Sequence, residues 1–461
     1  MKNFTDSKKG FTPKVSMISV PLGFLFLILI GAALLMLPLS TAPGNHTTPL
    51  TALFTSTTSV CVTGSVVVDT CTHWSLFGKL IILGLIQLGG LGIIAMVMFI
   101  LSIAERSVSL GDTLMLKDMF SLESTQGIFL FIRRIFFTTV IIELIGAIAF
   151  TPVFCPHYGA ARGIWYSIFT SVSAFCNAGI HIVDPNSLEN YNNSPLILIV
   201  TMLLIVAGGL GYIVLNDILP MPKRFRQIAA APKPAKRLRE HTRLVLVLTA
   251  GLIVGGAVLI FALEYNNPGT IGKMPLGQKI LNSFFQSVTT RTAGFSTVPQ
   301  ENLTETSSFV GIILMFIGGS PLGTAGGVKT VTIFILLKNV YTYIMNEHDV
   351  VVYKRTIPPG LIRKSSAIIT VQFTVVLVIT GLLMAASNAN LTDALYEVMS
   401  AVNTVGLSRG LTGDLNVAGQ IIIIIGMFLG RVGPITMLLF FKNNTRRADG
   451  IQYADGKYIV G

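Results

Sequence analysis

Four glycines, Gly64, Gly179, Gly294 and Gly406, fall 115, 115 and 112 residues apart, and each closes a block of small or hydroxyl-bearing residues. Ten residues before each glycine stands an aromatic: Phe54, Phe169, Phe284 and Tyr396. The blocks end Cys61-Val62-Thr63-Gly64, Cys176-Asn177-Ala178-Gly179, Arg291-Thr292-Ala293-Gly294 and Asn403-Thr404-Val405-Gly406. What such residues offer a ligand is backbone oxygen. Glycine adopts conformations that L-residues resist and leaves an axis uncrowded. Four loops of this kind around one axis would set carbonyls in place of the water shell of a small cation, the physics of a K⁺-type selectivity filter. Glycine also serves membrane helices as a packing contact, but a fixed period marks an internal repeat.

A second motif recurs 24 to 29 residues after each of these glycines: Gly89-Gly90-Leu91-Gly92, Gly208-Gly209-Leu210-Gly211, Gly318-Gly319-Ser320-Pro321 and Gly430-Arg431-Val432-Gly433. The third copy grows into the run Gly318–Gly327, with Gly318, Gly319, Gly323, Gly326 and Gly327 beside Ser320, Pro321 and Thr324. Such a run cannot stay helical, since glycine and proline cost about 1 and 3 kcal/mol per interior helix position. Its conformational freedom suits a mobile gate below the filter. In the fourth copy Arg431 replaces the glycine seen at Gly90 and Gly209. A charge at membrane depth faces a pore or a partner, so Arg431 is expected beside the broken run, held by its carbonyls or hydroxyls. Lys329 reads either as a pore-side residue or as a snorkelling one. Glu143 reads as an interhelical hydrogen-bonding group ahead of a proton relay.

The elements that must position these residues follow from the apolar runs. The chain has 461 residues, 52% hydrophobic and 12% charged, a composition foreign to soluble domains. Runs of about 20 apolar residues, enough to cross a bilayer, alternate with runs too short to span. The expected elements, as outer helix, short helix and inner helix, are 17–39, 49–59 and 76–104; 130–153, 161–175 and 194–217; 243–264, 277–289 and 307–345, broken in its middle; 366–387, 391–402 and 418–441. The short helices should be re-entrant, because irregular backbone at membrane depth is tolerated only where it lines a cavity or is buried in protein. The reading is an all-α membrane protein of four M1–P–M2 repeats (outer helix, re-entrant pore helix and filter loop, inner helix), pseudo-fourfold around one pore. The repeats divide as 1–105, 106–218, 219–350 and 351–461, the third opening on the basic, Pro-rich linker Pro220–Arg243 and the fourth ending in a cytoplasmic tail.

Charge sets the orientation. With the termini and inter-repeat segments on one side, that side holds 25 of the 33 Lys and Arg residues. The other holds six: Lys79, Arg162, Lys273, Lys279, Arg291 and Arg409. The positive-inside rule makes the first side cytoplasmic, with both termini inside. The net charge of +12 is then loop charge and not a nucleic-acid surface. The outer side carries nine carboxylates, among them Asp69, Asp184, Glu264, Asp393 and Asp414, which read either as a vestibule that concentrates cations or as scattered loop charge. The linker's basic residues follow from topology, with lipid headgroups or a cytoplasmic partner as additional contacts. No cleavable signal peptide is apparent. Cys71 and Cys155 fall on the outer side, and a disulfide between them stays open. No phosphate-cradling loop or metal cluster is present, so an enzyme or ATP-driven pump is not expected. Alternatives are a Na⁺- or H⁺-coupled secondary transporter and, more weakly, a membrane scaffold.

The phrases Val62-Thr-Gly64, Asn177-Ala-Gly179, Arg291-Thr-Ala-Gly-Phe295, Thr404-Val-Gly-Leu407 and Phe428-Leu-Gly-Arg-Val-Gly-Pro434, with the glycine run, resemble the Trk/Ktr/HKT superfamily of K⁺-translocating subunits over nearly the whole chain. No extra helix pair precedes the first repeat, and the tail ends Tyr453-Ala-Asp-Gly-Lys-Tyr-Ile-Val-Gly461; both look like the bacterial KtrB-type membrane subunit more than the longer TrkH type. The resemblance implies a potassium uptake pore in the plasma membrane, working as a homodimer with one pore per protomer. It implies a cytoplasmic ring of RCK-type (KtrA-like) regulatory subunits that bind ATP and ADP, while this chain binds no cofactor and no nucleic acid. K⁺ would be the transported ion, held by backbone carbonyls of the residues 61–64, 176–179, 291–294 and 403–406. The gate would comprise Gly318, Gly319, Ser320, Gly323, Thr324, Gly326 and Gly327, with Lys329 and Arg431 beside it.

Overall fold

The structure, a computed structural model, describes residues 13–92, 128–219 and 238–433. Expectations for the linker at 220–237, the repeat boundary at 105/106, the inner-helix ends at 93–104 and 434–441 and the C-terminal tail lie outside the described residues. The chain is mostly helical. The first group of helices is α1 (Pro13–Leu35), α2 (Pro49–Cys61), the one-turn α3 (Thr70–His73) and α4 (Leu76–Leu91). The second is α5 (Ile128–Tyr158), α6 (Ala160–Phe175), α7 (Pro195–Gly209) and α8 (Tyr212–Ile218). The third is α9 (Glu240–Glu264), α10 (Leu276–Thr289), α11 (Glu305–Phe316) and α12 (Thr330–Ile344). The last is α13 (Pro359–Ser387), α14 (Leu391–Val402) and α15 (Val417–Val432). An all-α fold did not anticipate the small antiparallel hairpin of β1 (Val351–Val352) and β2 (Arg355–Thr356).

Among the described residues, α5 from Phe131, α9 and α13 are long and apolar enough to cross a bilayer; the α7–α8 pair makes a fourth if counted as one span. That pair corrects an expectation. A single helix over 194–217 is broken after Gly209 and turns by 108°. Gly211, at φ +88°, starts the new direction. Gly92 and Gly433, the last glycines of the matching motifs, carry the same left-handed φ, +86° and +88°. The break is therefore not confined to the third copy.

Apolar and polar residues are distributed inside out. The long helices expose stripes such as Ile141, Leu144, Ile145 and Ile148 on α5 or Phe373 and Leu377 on α13, faces at home in hydrocarbon. Hydroxyls fill the interior instead: Thr55, Ser56, Thr57, Thr58 and Ser59 on α2 are all buried. Ser56, Thr57, Thr58 and Ser59 each bond a backbone group, as most buried polar groups do. Ser56, Ser171 and Ser287 each bond an outer-helix carbonyl, of Ile28, Glu143 and Ile253, at 2.6, 2.6 and 2.8 Å. Each inner helix also packs on the short helix of the following group: α4 on α6, α7 on α10, α11 on α14 and α15 back on α2.

Candidate functional site

The four short helices end in nearly one turn. The amide of Thr63 donates to the Thr58 carbonyl, Ala178 to Ser173 and Val405 to Ser400, at 2.9, 2.8 and 2.7 Å. The hydroxyl six residues before the glycine then staples the loop. Thr58 and Ser400 accept from the amides of Gly64 and Gly406, while Ser173 donates to the Ile180 carbonyl. In the third loop Ala293 reaches Thr289, and Thr289 staples Phe295. That loop is one residue shorter. Its fully buried aromatic is accordingly Phe285, nine residues before the glycine, and not the expected Phe284, which lines an apolar groove with Ile280 and Leu281.

Two residues before each glycine the backbone is left-handed without being glycine: Val62 (+56°), Asn177 (+59°), Thr292 (+69°) and Thr404 (+53°). Such conformations cost of order 1–3 kcal/mol each and persist only where surroundings impose them. The glycines follow at +102°, +65°, +80° and +91°. A Cβ on Gly64 would stand 2.6 Å from the Ala178 oxygen, and one on Gly179 would stand 2.6 Å from the Ala293 oxygen. One on Gly294 would overlap the Val405 oxygen and one on Gly406 the Thr63 oxygen. The contacts run from loop one to two, three, four and back to one.

The side chains three residues before the glycines turn away from this meeting point. Cys176 Sγ lies 3.6 Å from Gln87 Oε1 and 3.8 Å from Glu143 Oε1, and Gln87 donates to Glu143 at 3.2 Å. Glu143 is thus an interhelical hydrogen-bonding group. Asn403 Nδ2 donates to the Met399 carbonyl and its Oδ1 accepts from Gln372 at 3.0 Å. Cys61 is fully buried. Composition alone did not single out Gln87 and Gln372; the signal was there, as amides inside apolar helices. The inner-helix glycines have a packing reason too: a Cβ on Gly89, Gly208 or Gly430 would overlap the carbonyl oxygen of Val60, Phe175 or Val402 at the end of a short helix.

Beneath the loops lies Gly318–Gly327, between α11 and α12. A bridge between Ile317 and Val328 closes its base, with the Gly318 amide on the Val328 carbonyl at 3.0 Å. The amides of Ser320 and Thr324 donate to the carbonyls of Gly209 and Gly208 at the α7 break, at 2.9 and 3.1 Å. The bend in the second inner helix is what frees those two acceptors. Thr324 Oγ1 also reaches the Phe175 carbonyl and the side-chain amide of Asn177, at 3.2 and 3.3 Å. A Cβ on Gly326 would meet Asn403 and Thr404, and the Gly319 carbonyl takes the Thr330 amide. Gly323 packs against the Gly208 carbonyl and Gly327 against Gly318.

Three cations hold this segment. Arg431 donates to the Thr324 carbonyl at 2.8 Å and to that of Gly89. Lys329 turns its ammonium back to the Ala325 carbonyl at 2.6 Å. Arg291, counted by sequence position with the outer-side charges, lies buried with its guanidinium on the carbonyls of Thr249 and Gly318, 3.2 Å each. Sequence position locates a Cα, and an arginine side chain reaches well beyond it. Among the described residues neither arginine pairs with a carboxylate.

Above the loops a cavity of about 340 Å³ is lined by Gly64, Gly294, Gly406, Ser65, Glu189 and Glu301, among others. Most carboxylates singled out in the sequence serve structure instead. Asp69 caps α3, Asp184 accepts from Asn186 and Asn190, Glu264 takes Thr304 and Thr270, and Asp393 pairs with Arg409 at 2.8 Å. Burial first, and then the neighbouring Glu301 and Asp184, push the Glu189 carboxyl up to about 7 against a hydrogen bond from Ser296. Cys71 and Cys155 are free thiols.

The family model described as "TrkH: Cation transport protein" matches residues 2–447. The chain is 34% identical to the Ktr system potassium uptake protein B of Bacillus subtilis, over 95% of each protein. It is also 34% identical to the potassium/sodium uptake protein NtpJ of Enterococcus hirae, over 99% of this chain and 100% of that one. The crystal structure of the potassium transporter TrkH from Vibrio parahaemolyticus superposes with a TM-score of 0.73, at 18% identity, covering 94% of this chain and 86% of the other. This chain belongs to the TrkH family of cation transport proteins.

Proposed function

We propose that the chain is the K⁺-translocating, channel-like subunit of a potassium uptake system in the cell membrane. Its four M1–P–M2 repeats ring one pore, the residues 61–64, 176–179, 291–294 and 403–406 form the selectivity filter, and Gly318–Gly327 with Lys329 and Arg431 is the gate. The observation that carries this reading is the closed cycle of glycine-to-carbonyl contacts, in which four left-handed loops converge on their own backbone oxygens. Carbonyls so crowded replace a hydration shell and need no side-chain ligand. Buried hydroxyls of Thr63, Thr292 and Thr404, which have no hydrogen-bond partner among the described residues, stand in the same loops. Relatives named for potassium uptake support K⁺ as cargo. The chain works as a homodimer with both termini cytoplasmic, under a nucleotide-binding regulatory ring that carries the ATP or ADP.

The test is flux through the purified chain in liposomes. Gly406→Ser or Gly64→Ser forces a Cβ onto the Thr63 or Ala178 oxygen and adds a left-handed strain of about 1–2 kcal/mol. K⁺ over Na⁺ preference should fall roughly tenfold or more, the equivalent of about 1.4 kcal/mol, in protein that still inserts. Parental selectivity in both variants would exclude these loops as the filter.

A further inference from the structure

We propose that Arg291 couples K⁺ occupancy of the filter to the position of the Gly318–Gly327 segment, holding the third filter loop tight while the segment is closed and slackening it when the segment moves. This rests on the filter and gate assignments above. The equivalent positions in the other loops are Cys61, Cys176 and Asn403, all uncharged. The arginine occurs in the one loop whose own inner helix opens into the long glycine run. The residue is 7% exposed, its Nε has no hydrogen-bond partner among the described residues, and its two bonds go to backbone carbonyls. Thr249, on α9, belongs to the outer scaffold; Gly318 is the first residue of the gate.

A desolvated guanidinium is tolerated only while acceptors surround it. The Gly318 carbonyl is an acceptor only because the helix breaks there and folds back through the Ile317–Val328 bridge. When the segment is displaced, Arg291 loses that acceptor while staying fixed at Thr249. The adjoining cavity, about 20 Å³ between Val288, Thr249, Gly209 and Gly319, has room for the side chain to shift or for about one water. Thr292 follows directly, in a left-handed conformation and with its hydroxyl unpartnered. It has little of its own to keep it there. Thr324 on Asn177, and Gly326 against Asn403, brace the second and fourth loops from the same segment. Tight binding behind a closed gate and looser binding behind an open one suits conduction, which requires an ion to leave as well as enter.

Coupling is reciprocal and shows as non-additivity. K⁺ is titrated calorimetrically, with choline as the balancing cation, into the purified full chain in detergent, for the parent, Arg431→Gln, Arg291→Gln and the double variant. Arg431→Gln, which loosens the gate, should weaken K⁺ binding roughly fivefold with Arg291 present and less than about twofold when combined with Arg291→Gln. Arg291→Gln alone should weaken it about as much as Arg431→Gln. Equal weakening in both backgrounds, or none in the parent background, overturns the proposal. Should Arg291→Gln not fold, Arg291→Lys is read in the same way, since an ammonium keeps the charge but cannot span both carbonyls. Failure of both to fold makes the residue a structural anchor and also overturns it. A parent chain that binds no K⁺ sinks the filter assignment itself, and the coupling with it.

Discussion

Glu189 lines the cavity beside the four glycine loops, so under the proposed function its charge bears on the rate of cation entry. Its carboxyl, raised to about 7 by burial and by Glu301 and Asp184, is protonated below neutrality and charged above it. The sign follows directly: acid removes a negative charge from the cavity above the four loops. A unit charge acting over about 8 Å of water is worth about 0.5 kcal/mol, roughly a twofold change in local cation concentration. K⁺ influx at limiting K⁺ should therefore rise about twofold between pH 6 and 8. Glu189→Gln should hold the acid value throughout, and an unchanged pH profile in that variant would remove Glu189 from the entry path. Arg431 argues the opposite charge at the other end. Its donors on Thr324 and Gly89 are charge-assisted bonds, each worth about 1.5–3 kcal/mol. Arg431→Gln forfeits at least one, so the closed-to-open ratio should drop roughly tenfold or more and partner-free K⁺ flux should rise. Unchanged flux in well-folded protein would leave Arg431 with a scaffold role alone.

The inner helices show which elements were legible and why. The four glycine loops are readable from sequence because residue type and period coincide: a glycine, a stapling hydroxyl and an aromatic at nearly constant offsets. The one-residue shortening of the third loop was not, since Phe284 fits the ten-residue offset and only burial shows that its neighbour Phe285 takes the place. The bend after Gly209 was missed because the apolar run continues through it to Ile218, and each glycine costs a helix only about 1 kcal/mol. What breaks the helix is tertiary: the Gly208 and Gly209 carbonyls are claimed by Thr324 and Ser320. That dependence makes the gate testable as an element. Deleting Gly323–Gly326 removes the Thr324 bonds, the Arg431 acceptor and the Ala325 acceptor of Lys329 together. Partner-free K⁺ flux in liposomes should increase, with K⁺ bound more weakly. Lower flux from a stable deletion protein would mean the glycines serve only close packing.

At the scale of the molecule, orientation was read from charge and membrane residence from composition, and the two differ in what they locate. Charge counting assigns a loop to a side, and it grouped Arg291 with the outer loops, whereas the Arg291 guanidinium reaches inward to the Gly318 carbonyl. Which carboxylates line the cavity depended on local capping partners that only coordinates reveal. Orientation itself rests on 25 of 33 basic residues falling on one side, and the free thiols test it. Cys71, in α3, and Cys155, near the end of α5, are partly exposed and, under the proposed orientation, would stand on the outer side. Cys61 and Cys176 are buried. In intact cells a membrane-impermeant maleimide should label Cys71 and Cys155. Burial, together with the adjacent Asp69, pushes the Cys71 thiol up, so its labelling should keep accelerating past the pH at which an ordinary thiol levels off. A Lys223→Cys variant carrying Cys71→Ser and Cys155→Ser should react only after permeabilisation. Labelling of that Lys223→Cys variant in intact cells, with Cys71 protected in the parent, would invert the topology and place the glutamate-lined cavity on the cytoplasmic side.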